Sequence, residues 1–183
     1  MTAQTPFQSL LGADFGRLPA PVRDLHGLSE TAFTAGQADI TTAANPLTWL
    51  LCWMAGLPRP GRHVPVTVAF HPDGKGREWW ERHFASRRYA STIAAGTGHD
   101  EGLLIEYFGP FRLITKLTPG EIGLAWSLVR WRVFGFPLPR WSTPTIECLE
   151  GGEGNRFLFD IRVDFPIVGH VIHYRGWLER TPM

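Results

Sequence analysis

Arg156-Phe157-Leu158-Phe159-Asp160-Ile161-Arg162-Val163-Asp164-Phe165 sorts itself by parity. Phe157, Phe159, Ile161, Val163 and Phe165 fall on one side of an extended chain. Arg156, Asp160, Arg162 and Asp164 fall on the other. A two-residue period with one apolar side is the pattern of a β-strand set between a core and water. Just upstream, Thr145 to Glu150 reads as its partner, and Gly151-Gly152-Glu153-Gly154-Asn155 joins them as a hairpin. Downstream, Pro166 and Gly169 turn the chain into a last strand, Val171 to Leu178.

Working back towards the N-terminus, the same pattern recurs. Val64, Val66, Val68 and Phe70 alternate in Val64 to His71, and Pro72-Asp73-Gly74 marks the next turn. Arg77 to Ser86, Tyr89 to Ala95, Leu103 to Phe108 and Phe111 to Leu117 follow as strands between glycine and proline breaks. Ile122 to Phe134 is a long strand, and Phe136 to Pro144 a proline-rich loop. Thr31 to Thr42 reads as a first strand, weakened by Gly36 and its alanines. Ahead of the strands lie helices at Phe7 to Leu11 and Leu18 to His26. A third helix is capped by Asn45, has Pro46 in its first turn and ends at Ala55. Its residues Leu47, Trp49, Leu50, Leu51, Cys52 and Trp53 make it apolar nearly all round, which predicts a buried helix.

These elements predict one domain over 1–183, with a helical segment at 7–58 and a β-rich segment at 62–179. The expected fold class is α+β. Its expected form is a strongly bent antiparallel sheet or open barrel, wrapped around the buried Pro46–Ala55 helix, with short helices at the N-terminus. Its 183 residues suffice for one core.

The net charge of +1 offers no field to attract nucleic acid, so a nucleic-acid partner is not expected. Cys52 and Cys148 are far apart and in no C-x-x-C spacing, as in a reducing compartment. The first residues lack a basic, then apolar, leader, and no stretch is long enough to span a bilayer. The chain is therefore expected to be cytoplasmic and without a transmembrane segment.

No catalytic motif stands out. G-x-S-x-G is absent, and the seven histidines form no H-x-H or H-E-x-x-H. His26 reads as a helix C-terminal residue favoured by the dipole. The glycine clusters at 96–98 and 151–154 do not open helices, so no nucleotide cofactor is expected, nor any metal. Three constellations remain as candidate ligand contacts. Trp80, Arg82 and Phe84 share one strand face, and a buried Arg82 needs either Glu106 or an anionic ligand as partner. His173 and Arg175 share a face with Trp177. Arg130 and Arg132 continue the parity of Ile122, Leu124, Trp126 and Leu128, as in a pocket with an apolar floor and a polar mouth. The candidate site is thus Trp80, Arg82, Phe84, Glu106, Arg130, His173 and Arg175, with no catalytic residue assigned.

Several segments together resemble the bacterial family called Domain of Unknown Function 4166. They are Leu11-Gly12, Arg17-Leu18-Pro19-Ala20-Pro21-Val22-Arg23, Leu25-His26-Gly27, Gly56-Leu57-Pro58, Trp80-Glu81-Arg82-His83-Phe84 and Tyr174-Arg175-Gly176-Trp177-Leu178. The resemblance runs from about Leu11 to Glu179. It implies no activity. The family also occurs C-terminal to NAD(P)-binding domains similar to saccharopine dehydrogenase, so the resemblance implies company with an oxidoreductase. No such domain precedes this sequence, and a stand-alone copy is expected. Two functions are carried forward. The first is binding of a small apolar or amphipathic ligand, lipid- or isoprenoid-like, with an anionic form allowed. The second is a non-catalytic accessory domain for an oxidoreductase. An enzyme using His173 or His83 with Glu106 ranks third.

Overall fold

The computed structural model describes residues 4–85, 87–166 and 168–181. Among the described residues there are three α-helices: α1 (Pro6–Leu11), α2 (Ala20–His26) and α3 (Pro46–Met54). The strands are β1 (Ala32–Thr42), β2 (Gly61–Pro72), β3 (Arg77–Phe84), β4 (Arg87–Ala95), β5 (Leu104–Phe108), β6 (Phe111–Gly120), β7 (Gly123–Val133), β8 (Phe136–Pro137), β9 (Thr145–Glu153), β10 (Arg156–Phe165) and β11 (Gly169–Arg180). The third strand was expected to reach Ser86, which lies outside the described residues.

Each strand pairs antiparallel with the next, apart from the two-residue β8, which only edges β7. β7 pairs with β9 and also with β6, and β11 returns to pair with β1. The ten long strands therefore close into an up-and-down barrel. Closure removes the exposed sheet edges. The fold is mostly β, so the α+β expectation is corrected. The alternating strands were legible, but closure depends on pairing between β1 and β11, and no local pattern announces it.

The parity of β10 places Phe157 and Phe159 inside and Arg156 and Arg162 outside. Inside and outside differ in the same way elsewhere. Glu81, His83 and Lys116 are exposed on the outer wall, while Val66, Phe70 and Trp126 are buried within. This is the reverse of a barrel that spans a membrane, where the apolar face points outward. No helix among the described residues is long and apolar enough to cross a membrane.

The two ends of the barrel differ. α1 and α2 plug one end. Thr5 caps α1, accepting from Gln8 N at 3.2 Å, and its hydroxyl also donates to His26 O at 2.7 Å. That bond ties the two short helices together. Phe7, fully buried, stacks on the His26 ring at 3.7 Å. α3 lies at the opposite end, where Thr48 Oγ1 donates to His170 O at 3.5 Å. Asn45 caps it, accepting from Thr48 N at 2.8 Å.

The expectation that α3 is buried in the concave side of the sheet is also corrected. Trp49 is 67% exposed and Trp53 56%, with Leu47 and Leu50 exposed beside them. Among the described side chains of the helix, Thr48 and Cys52 are buried and Leu51 is partly so. A closed barrel has no concave face to receive a helix. The chain between β1 and β2 must cross the barrel's rim, so α3 sits at the mouth.

Candidate functional site

The inner wall is built by strand parity. β3 turns Glu78, Trp80, Arg82 and Phe84 inward and leaves Glu81 and His83 outside. Arg82 pairs across to Tyr89 of β4, and Trp80 to Ser91. Glu106 enters from β5. Together the strands surround an apolar cavity of about 480 Å³ that reaches α3. That volume is in the range of small-molecule sites. Leu51 of α3 and Ala55 just after it line its mouth, with Trp131, Val133 and Phe165 from the strands.

Polar groups break this apolar lining at two levels. Halfway along, Arg82 Nη1 donates to Ser91 Oγ at 2.7 Å and Nη2 to Glu106 Oε1 at 3.3 Å. The guanidinium also lies over the Trp80 ring at 4.8 Å and the Tyr89 ring at 5.3 Å. Tyr174 reaches the same level from β11. Burial pushes the phenols of Tyr89 and Tyr174 above their ordinary range, so both stay neutral hydroxyls. Burial likewise pushes the Cys148 thiol up and keeps it protonated. Cys52 and Cys148 are both free thiols.

At the plugged end lies a second cluster. His26 Nε2 lies 2.7 Å from Glu150 Oε2, and Trp126 Nε1 donates to that same oxygen at 3.0 Å. Glu150 borders the cavity. Trp80 Nε1 donates to Glu78 Oε2 at 2.8 Å. His26 Nδ1 and Glu78 Oε1 are buried without a protein partner. Burial raises the Glu78 carboxyl to a pKa of about 7, against the opposing pull of His26 and the Trp80 N–H.

Of the residues singled out in the sequence, Trp80, Arg82, Phe84 and Glu106 meet on the cavity wall. Arg130, His173 and Arg175 do not join them. A β-bulge shifts the register of β6 and β7 between Ile114 and Thr115, so the inward parity of Leu124 and Trp126 passes to Trp131 and Val133. Arg130 therefore points outward and, with Arg112, holds the buried carboxylate of Asp100. On β11 the residues that line the cavity are Val171, Tyr174 and Leu178. His173 faces out to Asp160 at 2.7 Å, and Arg175 is exposed. His83 is also outside, so neither histidine proposed as an acid–base partner reaches Glu106.

The wall contains residues that were not singled out. Glu78 shares the parity of Trp80, Arg82 and Phe84, and Glu150 that of Ile146 and Cys148, so both were legible as inward. His26 is indeed the last residue of α2, but its side chain is sealed inside the barrel rather than answering a helix dipole at the surface. Its partner is 124 positions away, a separation invisible to local patterns. Among the described residues, no group of three histidine, cysteine or carboxylate side chains is placed to hold a metal ion.

The model of a domain of unknown function, DUF4166, matches residues 18–178, nearly the whole chain. The chain belongs to this family. No curated protein and no solved structure matches it. The matched segment of the DUF4166 chain takes in all ten barrel strands and α2, but leaves α1 and its Phe7 plug outside.

Proposed function

We propose that this barrel binds one small, largely apolar molecule along its axis, with a polar group of the ligand set against Arg82, Tyr89 and Tyr174. The observation that carries this reading is the polar station at Arg82 on the wall of a largely apolar cavity of about 480 Å³. Such cavities take their affinity from apolar contact and their orientation from a few fixed polar groups. Closed up-and-down barrels of this size are suited to a ligand or to filling side chains, and here space remains.

Glu106 already compensates the charge of Arg82. A ligand carboxylate would have to compete with it inside a poorly solvated wall, at the cost of leaving one carboxylate without a cation. A neutral acceptor or hydroxyl can use the remaining guanidinium and phenol donors without that cost. Within the lipid- or isoprenoid-like class, the site therefore favours an alcohol, ketone or ester over an acid.

The test is a titration with a neutral naphthyl ketone fluorophore, which reports an apolar surrounding by its emission. Binding in the micromolar range is expected (about −8 kcal/mol). Ile161→Trp, placed in the cavity wall, should abolish it. The paired change Arg82→Met with Glu106→Leu keeps the wall free of unpaired charge and should weaken binding about tenfold. A long-chain alcohol should displace the fluorophore better than a fatty acid of equal length. Unchanged affinity in Ile161→Trp would place the fluorophore elsewhere and defeat the reading. The accessory-domain alternative is favoured by one observation, the exposed tryptophans of α3.

A further inference from the structure

The open end of the barrel is ringed by aromatic side chains that face water. On α3 these are Trp49 and Trp53, and on the connection from β7 to β9 they are Phe134 (78% exposed), Phe136 (73%) and Trp141 (69%). Scattered single apolar residues are ordinary on a surface. Here large ones from two separate connections gather at one end, around the opening of an apolar cavity.

The same end has a one-sided charge. Its described connections are residues 43–60, 85, 109–110, 134–144, 166 and 168, and these contain arginine but no aspartate or glutamate. Arg62 and Arg88 stand exposed at the adjoining strand ends, with Arg87 and Arg132 half-buried, and the acid there, Asp164, is paired with Arg162 and His170. The connections at the plugged end hold Glu30, Asp73, Asp100, Glu101 and Glu121 against one cation, Lys75. The molecule has a net charge of only +1, yet the two ends differ in sign.

The backbone at Phe134 is strained as well. Phe134 and Gly135 form the two-residue link between the paired residues Val133 and Phe136, and both have positive φ, 50° and 83°. Such a turn favours Asn-Gly, and a bulky residue at its first position is strained. The strain holds a phenyl ring out into solvent, which folding alone does not reward. His63 and Ala85, exposed at the same end, also have positive φ (50° and 48°), so Phe134 differs from them in presenting a large apolar ring rather than in its backbone.

We propose that this rim docks on an anionic lipid surface, with the tryptophans and phenylalanines at the headgroup level and the arginines against lipid phosphates. Tryptophan favours the membrane interface, and basic residues beside it add attraction to anionic lipid. Docking in this pose sets the mouth of the cavity against the bilayer, so an apolar ligand passes between them without crossing water. The docking stands on the rim alone, and the transfer rests on the cavity binding proposed above.

The test is flotation of the full chain with vesicles of phosphatidylcholine alone and of equimolar phosphatidylcholine and phosphatidylglycerol. Flotation with the anionic vesicles only is expected, and loss of most of it at about 1 M salt, where charges are screened within about 3 Å. Trp49→Ser, Trp53→Ser and Trp141→Ser together should lower vesicle affinity by about tenfold or more while the naphthyl ketone still binds in solution. Phe134→Asn suits the turn and should raise thermal stability while weakening flotation, which separates docking from folding. Failure to float with anionic vesicles overturns the proposal, whatever the fluorophore does. So does a dimer in gel filtration that the tryptophan changes disperse, since the rim would then meet a second copy. Flotation without fluorophore binding would instead count against the cavity reading and leave docking in place.

Discussion

Glu78 is the side chain whose chemistry is most altered by its position. It is 3% exposed, it has one bonded oxygen, and its pKa is raised to about 7, chiefly by burial. The unfolded chain loses this proton near the ordinary carboxylate value of 4.5. Between those values the folded state holds more protons than the unfolded state. Stability therefore falls as pH rises through that window and levels off above it, by about 3 kcal/mol when complete. Glu78→Gln should remove this slope and raise stability near pH 8, as denaturant unfolding at two pH values will read. Arg82 and Glu106 are the opposite case, a buried pair that is already compensated. Arg82→Met alone strands a carboxylate in the wall and should cost about 3 kcal/mol. Adding Glu106→Leu should restore most of that loss, because the pair as a whole contributes little against apolar residues of similar volume. A single change that proved neutral would mean that Arg82 is solvated in the folded protein.

The strands were legible because alternation is local. Val66, Val68 and Phe70 on β2 and the aromatic face of β10 showed their inward sides without any partner in view. What parity does not carry is a bulge. The shift between Ile114 and Thr115 turns Arg130 out of the cavity, and a second one, at Val163 and Asp164, interrupts the pairing of β10 with β11. Each depends on how two strands meet, so the candidate site kept Trp80, Arg82, Phe84 and Glu106 and lost the residues beyond the bulge. α3 misled for a related reason. An apolar helix has to be covered, but its sequence does not say whether protein or lipid covers it. β1 looked weak because of Gly36 and its alanines, yet those residues make the closing seam. A Cβ at Gly36 would lie 1.8 Å from Trp177 O, and one at Gly176 would lie 2.0 Å from Gln37 O. β1 and β11 approach so closely that only hydrogen fits. Gly36→Ala or Gly176→Ala should destabilise by about 3 kcal/mol, as overpacking against backbone does. Urea unfolding of either variant at wild-type stability would mean that the barrel opens along this seam.

Viewed as one object, the molecule is a tube stoppered by Phe7 and His26 and open beneath α3, with acid towards the stopper and arginine towards the opening. Those differences between the ends give the tube a direction, and the polar station at Arg82 gives any occupant an orientation. The binding proposed for this chain, and the transfer built on it, depend on the interior being space for a guest rather than a gap in the core. Native mass spectrometry of freshly purified protein puts that to the test most directly. The expected spectrum contains the chain together with one small, neutral, apolar molecule, and Ile161→Trp reduces it to the bare chain. A bare chain from both proteins, with no uptake of the naphthyl ketone by the unsubstituted one, would contradict the claim.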